Sequence, residues 1–175
     1  MIIQFCGMSG AGKTTLAEHT RTKLNAWKIP IEIIVADEYR KFIIKDWGFS
    51  KEDRCENIRR LGFIANKFST HNIVTIICAI NPYEEIRYEI KEKYPNVKTV
   101  FIHCEIPELI KRDTKGLYKK ALLPENHKDK IHNLTGINDP FEAPANPDLI
   151  INTDADNIET CIEKLVQFIK ANINK

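Results

Sequence analysis

No apolar run in the chain approaches the ~20 residues a membrane-spanning helix needs, and no basic leader precedes the first strand-like segment. No membrane association is therefore expected, and a cytoplasmic location is. Charge of one sign is not in excess either: 26 Lys and Arg face 24 Asp and Glu, for a net charge of +2. So weak a field gathers neither a nucleic acid polymer nor an anionic surface, and any anion site must be local, with a small-molecule ligand. Cysteines at metal or redox spacing are missing. The five present, Cys6, Cys55, Cys78, Cys104 and Cys161, form no CxxC, and three lie inside apolar, strand-like runs. Buried free thiols in a reducing compartment are expected. Glycine is scarce at seven residues, which makes its concentration near the start informative.

There the chain reads GMSGAGKT, from Gly7 to Thr14, after the apolar run Ile2-Ile3-Gln4-Phe5-Cys6 and before a helix-forming segment beginning at Thr15. This is a Walker A P-loop in the strand-to-helix setting such a loop requires. Gly7 and Gly12 let backbone N–H groups curl around a triphosphate without a side-chain clash, and the start of the following helix adds positive potential. The expected cradle comprises Gly7, Ser9, Gly10, Ala11, Gly12, Lys13, Thr14 and Thr15. Lys13 is spaced to reach the β- and γ-phosphates, and the Thr14 hydroxyl to ligate Mg²⁺. ATP and Mg²⁺ are the expected cofactors. A plain strand-to-helix turn would need neither the Lys nor the Thr.

Downstream, short Ile- and Val-rich runs alternate with helical segments, the signature of a parallel sheet covered on both faces. Strands are expected near 2–6, 31–35, 73–79, 99–104 and 148–152. The fold class is α/β: a P-loop kinase-type three-layer sandwich on a five-stranded parallel sheet, one domain over 1–175 with a basic lid. Ser50 with Asp53 three residues later opens a long helix to about Thr70. Ile158, Cys161, Ile162, Leu165 and Ile169 form the 3.6-residue stripe of a final helix packed on the sheet.

From about 113 to 147 the pattern breaks. This stretch carries Lys115, Lys119, Lys120, Lys128 and Lys130 among glycines and prolines, with little apolar periodicity. A loop of that length in a compact domain calls for a purpose, and a lid closing over phosphates supplies one; a solvated surface loop is the alternative. Asp37 and Arg40 directly follow the second strand, where open α/β sheets bind ligands. Asp37 can orient or deprotonate an attacking hydroxyl, hold Mg²⁺, or simply complement the dipole of a helix start. Arg54 and Asn57 share a helix face and can jointly grip a doubly charged anion, whereas Arg59 and Arg60 cannot both share it. No NKxD-like guanine element is present, and the third strand ends without a Walker B Asp. Both absences point from regulatory GTPases and motors toward a small-molecule kinase.

The segments GMSGAGKTT, DEYR (37–40), GFSKEDRCENIRR (48–60), INPY (80–83), RDTKGLYKKA (112–121) and LTGINDPFEAPANPDL (134–149) together resemble the adenylylsulfate (APS) kinase family over nearly the whole chain. That resemblance implies transfer of the γ-phosphate of ATP to the 3′-hydroxyl of APS, giving PAPS and ADP. It implies Lys13 and Thr14 on phosphate and Mg²⁺, and Asp37 as base or hydroxyl-orienting group and as a second metal contact. Arg40, Arg54 and Asn57 would bind the phosphosulfate, Phe49 would stack on the base with Leu134 and Thr135 nearby, and Ile80 and Asn81 would approach it through their backbone. Lys115 would neutralise charge from the lid, and Arg112 and Pro144 would border the ATP adenine. A homodimer is compatible with the family, though no sequence feature marks an interface.

Four positions depart from the family pattern. Val35 stands where the first acid of a DGD element is usual, Asn81 replaces a Ser and so cannot form a phosphoserine, and Glu84 replaces an Arg. Leu134 replaces the second Phe of an aromatic sandwich around the base, a stacking face worth ~1–3 kcal/mol. The other readings open at this level are a kinase of another nucleotide, such as cytidine diphosphoramidate in capsule biosynthesis, and a nucleotide-binding regulatory module without catalysis.

Overall fold

The computed structural model describes residues 1–43 and 48–173. Strands β1 (Ile2–Cys6), β2 (Ile31–Val35), β3 (Val74–Cys78), β4 (Val97–His103) and β5 (Leu149–Asn152) form one parallel sheet in the order β2-β3-β1-β4-β5. Between them run α1 (Lys13–Ala26), α2 (Ala36–Phe42), α3 (Lys51–Ser69), α4 (Glu84–Lys93), α5 (Ile106–Arg112), α6 (Leu117–Ala121) and, last, α7 (Ile158–Asn172). All five expected strands are present. β4 starts two residues earlier than its apolar pattern indicated, because Val97 already pairs with Ile2.

The near-continuous apolar strands follow from burial on both faces. Ile3 and Phe5 of β1 join Leu16 and Leu24 of α1 and Ile162, Leu165 and Ile169 of α7 in one core. Ile2 points the other way, into a second core with Ile58 and Leu61 of α3 and Ile86 and Ile90 of α4. Each fully buried Ile or Leu contributes ~1.5–3 kcal/mol, so these two layers hold the sheet between them. The exception inside β1 is Gln4, a fully buried amide among hydrophobic neighbours.

Local signals set the ends of the elements. The Ser50 hydroxyl accepts from Asp53 N while the Asp53 carboxylate accepts from Ser50 N, the reciprocal capping box expected at the start of α3. Asn157 caps α7 by accepting from Thr160 N. All five cysteines are buried and free, as expected.

The stretch 113–147 is less bare than its composition implied. It contains α6, and Tyr118, Ala121, Leu134 and Thr135 within it are buried. Tyr118, Ala121 and Leu134 join the α1/α7 core and anchor the segment there, while most of its other residues stay exposed or half-buried.

Candidate active site

The P-loop leaves the carboxyl end of β1, flanked by β3 and β4, the position at which open α/β sheets hold ligands. Gly7 is required by space: a Cβ there would lie 2.3 Å from the Ile102 carbonyl oxygen. Gly12 caps α1 in the left-handed region at φ 91°, which glycine adopts without steric cost. The loop carbonyls are occupied by side chains. Lys13 Nζ donates to Gly7 O at 2.8 Å and Met8 O at 2.7 Å, and the Tyr118 hydroxyl donates to Ser9 O at 2.8 Å. Thr153 Oγ1 lies 3.1 Å from Ala11 O. With its oxygens so held, the loop turns its backbone donors to the ligand side, the concavity that anions occupy.

Burial, the main cause, draws the Lys13 ammonium down from the usual lysine range to about 8, and the positive charge of Lys115 acts in the same direction. Thr14 and Thr15 open α1 and are exposed to the cleft they line. Burial pushes the adjacent Cys78 thiol up to about 12, so it sits in the wall as an unreactive group.

The cleft in front of the loop has a volume of about 650 Å³. Its walls bring together Ser9, Gly10, Gly12, Lys13, Thr14 and Thr15 on one side with Asp37, Phe49, Arg54, Ile80, Lys115, Leu134 and Thr135 on the other. A smaller cavity of about 70 Å³ adjoins it and adds Arg40, Asn57 and Asn81. Both P-loop residues and the residues after β2 and β3 therefore face one space.

Asp37 lies in the first turn of α2, and its exposed carboxylate accepts from Lys115 Nζ of the lid at 2.6 Å. Arg40 Nη1 donates to Gly48 O at 2.7 Å. Burial, then the neighbouring Arg54 charge, lowers the Arg40 pKa. The two guanidiniums lie over the Phe49 ring, Arg40 at 4.8 Å and Arg54 at 5.4 Å from its centroid. Arg54 is itself a tie between α3 and the lid. It donates to Phe49 O (2.9 Å), Thr135 Oγ1 (3.1 Å) and Asn133 O (2.8 Å), and pairs with Asp139 at 3.0 Å. Asn57 and Asn81 are buried, and among the described residues neither Oδ1 has a hydrogen-bond partner. An unpaired buried acceptor is costly, which makes both amides candidates for a ligand or water contact.

The lid touches the P-loop at a second place. Gly136 has φ 87°, and a Cβ there would lie 2.2 Å from Met8 Sδ. The 113–147 segment and the P-loop are thus in van der Waals contact, with the cleft-lining residues Leu134 and Thr135 directly upstream.

The family model for adenylylsulphate kinase matches residues 1–152. The chain belongs to that family. An adenylyl-sulfate kinase of Chloroflexus aurantiacus is 41% identical over 166 residues, 95% of this chain and 87% of the relative. A probable bifunctional SAT/APS kinase 2 of Sorangium cellulosum is 42% identical over 165 residues, but this chain spans only 28% of its length. Among solved structures, the Mycobacterium tuberculosis APS kinase CysC in complex with AMPPNP and APS superposes with a TM-score of 0.88 at 30% identity, covering 97% of this chain and 96% of that one. The P-loop kinase fold and the kinase class expected from the motifs follow from this membership.

The expected adenylylsulfate kinase site residues divide into those the fold gathers and those it does not. Apart from Gly7 and Ala11, which shape the loop from behind, the cradle residues line the cleft, as do Asp37, Phe49, Arg54, Ile80, Lys115, Leu134 and Thr135. Arg112 and Pro144 do not line it. Arg112 instead donates to Thr153 O at 2.7 Å and to Thr153 Oγ1 at 3.2 Å, which places it behind the Ala11 turn. Pro144 lies between two anchored residues, Glu142, whose N–H donates to Pro82 O, and Asp148, whose carboxylate accepts from Thr99 N. Arg59 and Arg60 are both structural: Arg59 pairs with Glu89 and Glu56, and Arg60 with Glu56. Tyr118, Thr153 and Gly136 were missed, because holding a loop carbonyl or passing close to a side chain leaves no local pattern. Among the described residues no group of three or more His, Cys, Asp and Glu can hold a metal ion.

Proposed function

We propose that the chain phosphorylates adenylylsulfate, transferring the γ-phosphoryl group of ATP to the 3′-hydroxyl to give PAPS and ADP, with its 175 residues acting as one kinase domain. The observation that carries the reading is the shared cleft: the P-loop with Lys13 and Thr14 faces Asp37, Phe49, Arg54 and Lys115 across one continuous volume. The names of the similar proteins support adenylylsulfate as the acceptor over a cytidine nucleotide.

In this reading the P-loop N–H groups and Lys13 bind the donor phosphates. Asp37 orients the attacking hydroxyl and accepts its proton. Lys115 leaves Asp37 and neutralises charge as the phosphoryl group moves. Thr14 and Asp37 suit Mg²⁺, which favours one or two protein oxygens plus substrate phosphates over an all-protein cage. Bound there, the ion would screen the phosphate charges during transfer. Transfer is direct, because Asn81 offers no hydroxyl to phosphorylate. Phe49 supplies one face for the base and Leu134 an aliphatic one opposite.

An acceptor panel tests the reading. Turnover with ATP and adenylylsulfate well above that with CDP-linked acceptors supports it; turnover with cytidine acceptors alone sinks it. ATP binding without turnover of any acceptor would instead identify a non-catalytic module.

A further inference from the structure

The acceptor-side turn Ile80–Pro82 is held from outside the cleft by a polar network built on the buried Arg87 and Gln4 and on Glu142. Arg87 of α4 is 1% exposed, yet its side chain ties its own helix to two other segments. Its Nη1 donates to Asn81 O at 2.7 Å, its Nε and Nη2 to Glu84 Oε2, and its Nη2 to Glu142 O at 2.6 Å. Glu142 closes the ring, its carboxylate accepting from Glu84 N at 2.7 Å and its own N–H donating to Pro82 O at 2.8 Å. Beneath Asn81 lies Gln4, the one buried amide of β1.

The bonding order fixes which way each amide faces. Carbonyl oxygens only accept, so the group Gln4 presents to Arg87 O, at 2.9 Å, must be its Nε2; the same nitrogen reaches Thr99 Oγ1 at 3.0 Å. Gln4 Oε1 therefore faces Asn81 and accepts from its Nδ2 at 3.2 Å. Asn81 is held in the left-handed region at φ 48°, a conformation Asn tolerates better than most residues. The preceding carbonyl, Ile80 O, accepts from Gly7 N of the P-loop at 3.0 Å. All three carbonyls of the turn are thus fixed: Ile80 O by Gly7 N of the P-loop, Asn81 O by Arg87 and Pro82 O by Glu142 N.

We infer that Asn81, Gln4 and Arg87 are positioning residues that set the acceptor turn against the P-loop and pin the returning leg of the lid at Glu142. Stability alone gives little reason for the arrangement, since a buried ion pair replaced as a whole by well-packed apolar residues often costs nothing. A fixed turn between two substrates gives one. Asn81 does here what a serine's shorter hydroxyl could not do across the same span to Gln4, and Glu84 supplies the carboxylate that Arg87 needs.

The inference concerns the acceptor half of the site and rests on the proposed kinase reading only for its kinetic test. Gln4→Met and Asn81→Ala remove the contact from its two ends, and Gln4 touches no part of the cleft. For both variants we expect the KM for adenylylsulfate to rise about tenfold with the KM for ATP within about twofold of the parent. Hydrogen exchange provides a readout that needs no substrate: amides of 79–83 and 141–143 should exchange faster in both variants, with α1 and α7 unchanged. Unchanged exchange in those segments, or equal changes in the two KM values, overturns the inference. A parent enzyme inactive on adenylylsulfate would count against the kinase reading alone, leaving exchange to decide this one.

Discussion

Lys115 Nζ and Asp37 Oδ2 lie 2.6 Å apart, joining the lid to the first turn of α2 across the mouth of the cleft. Both side chains are more than half exposed, so the pair adds little to stability. Its significance is chemical: among the described contacts Lys115 occupies the carboxylate that, in the proposed function, takes the proton of the acceptor hydroxyl. Asp37→Ala should lower kcat by roughly 10²–10⁴ with ATP affinity within about twofold of the parent, measured by steady-state kinetics and calorimetry. Normal turnover would remove Asp37 from its role. Lys115→Met should lower kcat while leaving the melting temperature nearly unchanged.

Arg54 behaves differently because it is buried and fully engaged. Arg54→Met strands Asp139 and frees the 133–135 segment from α3. Removing one partner of a buried pair is strongly destabilising, so a loss of about 2–4 kcal/mol is expected by denaturant unfolding, together with a raised acceptor KM. A variant of parental stability would show that the tie does not hold the lid.

Gly136→Ala should also act on both substrates. The added methyl meets Met8 at the P-loop and sits on a backbone that L-residues rarely adopt, costing about 1–2 kcal/mol from conformation alone. Both KM values should rise. Adding Met8→Ala relieves the clash but not the strain, so the double variant should recover ATP binding ahead of stability.

ATP affinity should depend on pH through Lys13. In the free enzyme its ammonium loses its proton near 8, below the 10.5 of an unhindered lysine, whereas bound phosphates would hold the proton. Binding therefore takes up a proton above pH 8, and the dissociation constant should weaken about tenfold between pH 7 and 9. The sign for folding is opposite. Above pH 8 the unfolded chain binds more protons at this site than the folded one, so the Lys13 contribution to stability rises toward pH 10.5. An ATP affinity flat from pH 7 to 9 would refute the shift.

What the sequence made legible follows physical range. GMSGAGKT is contiguous, and its spacing alone marked the strand-to-helix loop that lines the cleft; the Ser50–Asp53 box and the α7 stripe are likewise local and were read correctly. Asp37, Arg54 and Lys115 could be flagged because they follow strands, share a helix face or sit in a basic segment. Their contacts could not. That Arg54 binds the lid, or that Lys115 lies on Asp37, depends on pairings 81 and 78 residues apart in the chain. Tyr118, Thr153, Gln4 and Arg87 read as ordinary core or helix residues, since a side chain that holds a distant carbonyl leaves no periodic trace. The 113–147 segment showed little periodicity for a related reason: its buried Tyr118 and Leu134 are spaced by the core they join, not by a helix or strand repeat.

The most direct test is to follow γ-labelled phosphate from ATP with adenylylsulfate and Mg²⁺ present. The predicted result is label on the 3′-oxygen of the product, one per ADP formed, with none retained on the protein. Label confined to ATP and inorganic phosphate, or delivered only to a cytidine-linked acceptor, would contradict it.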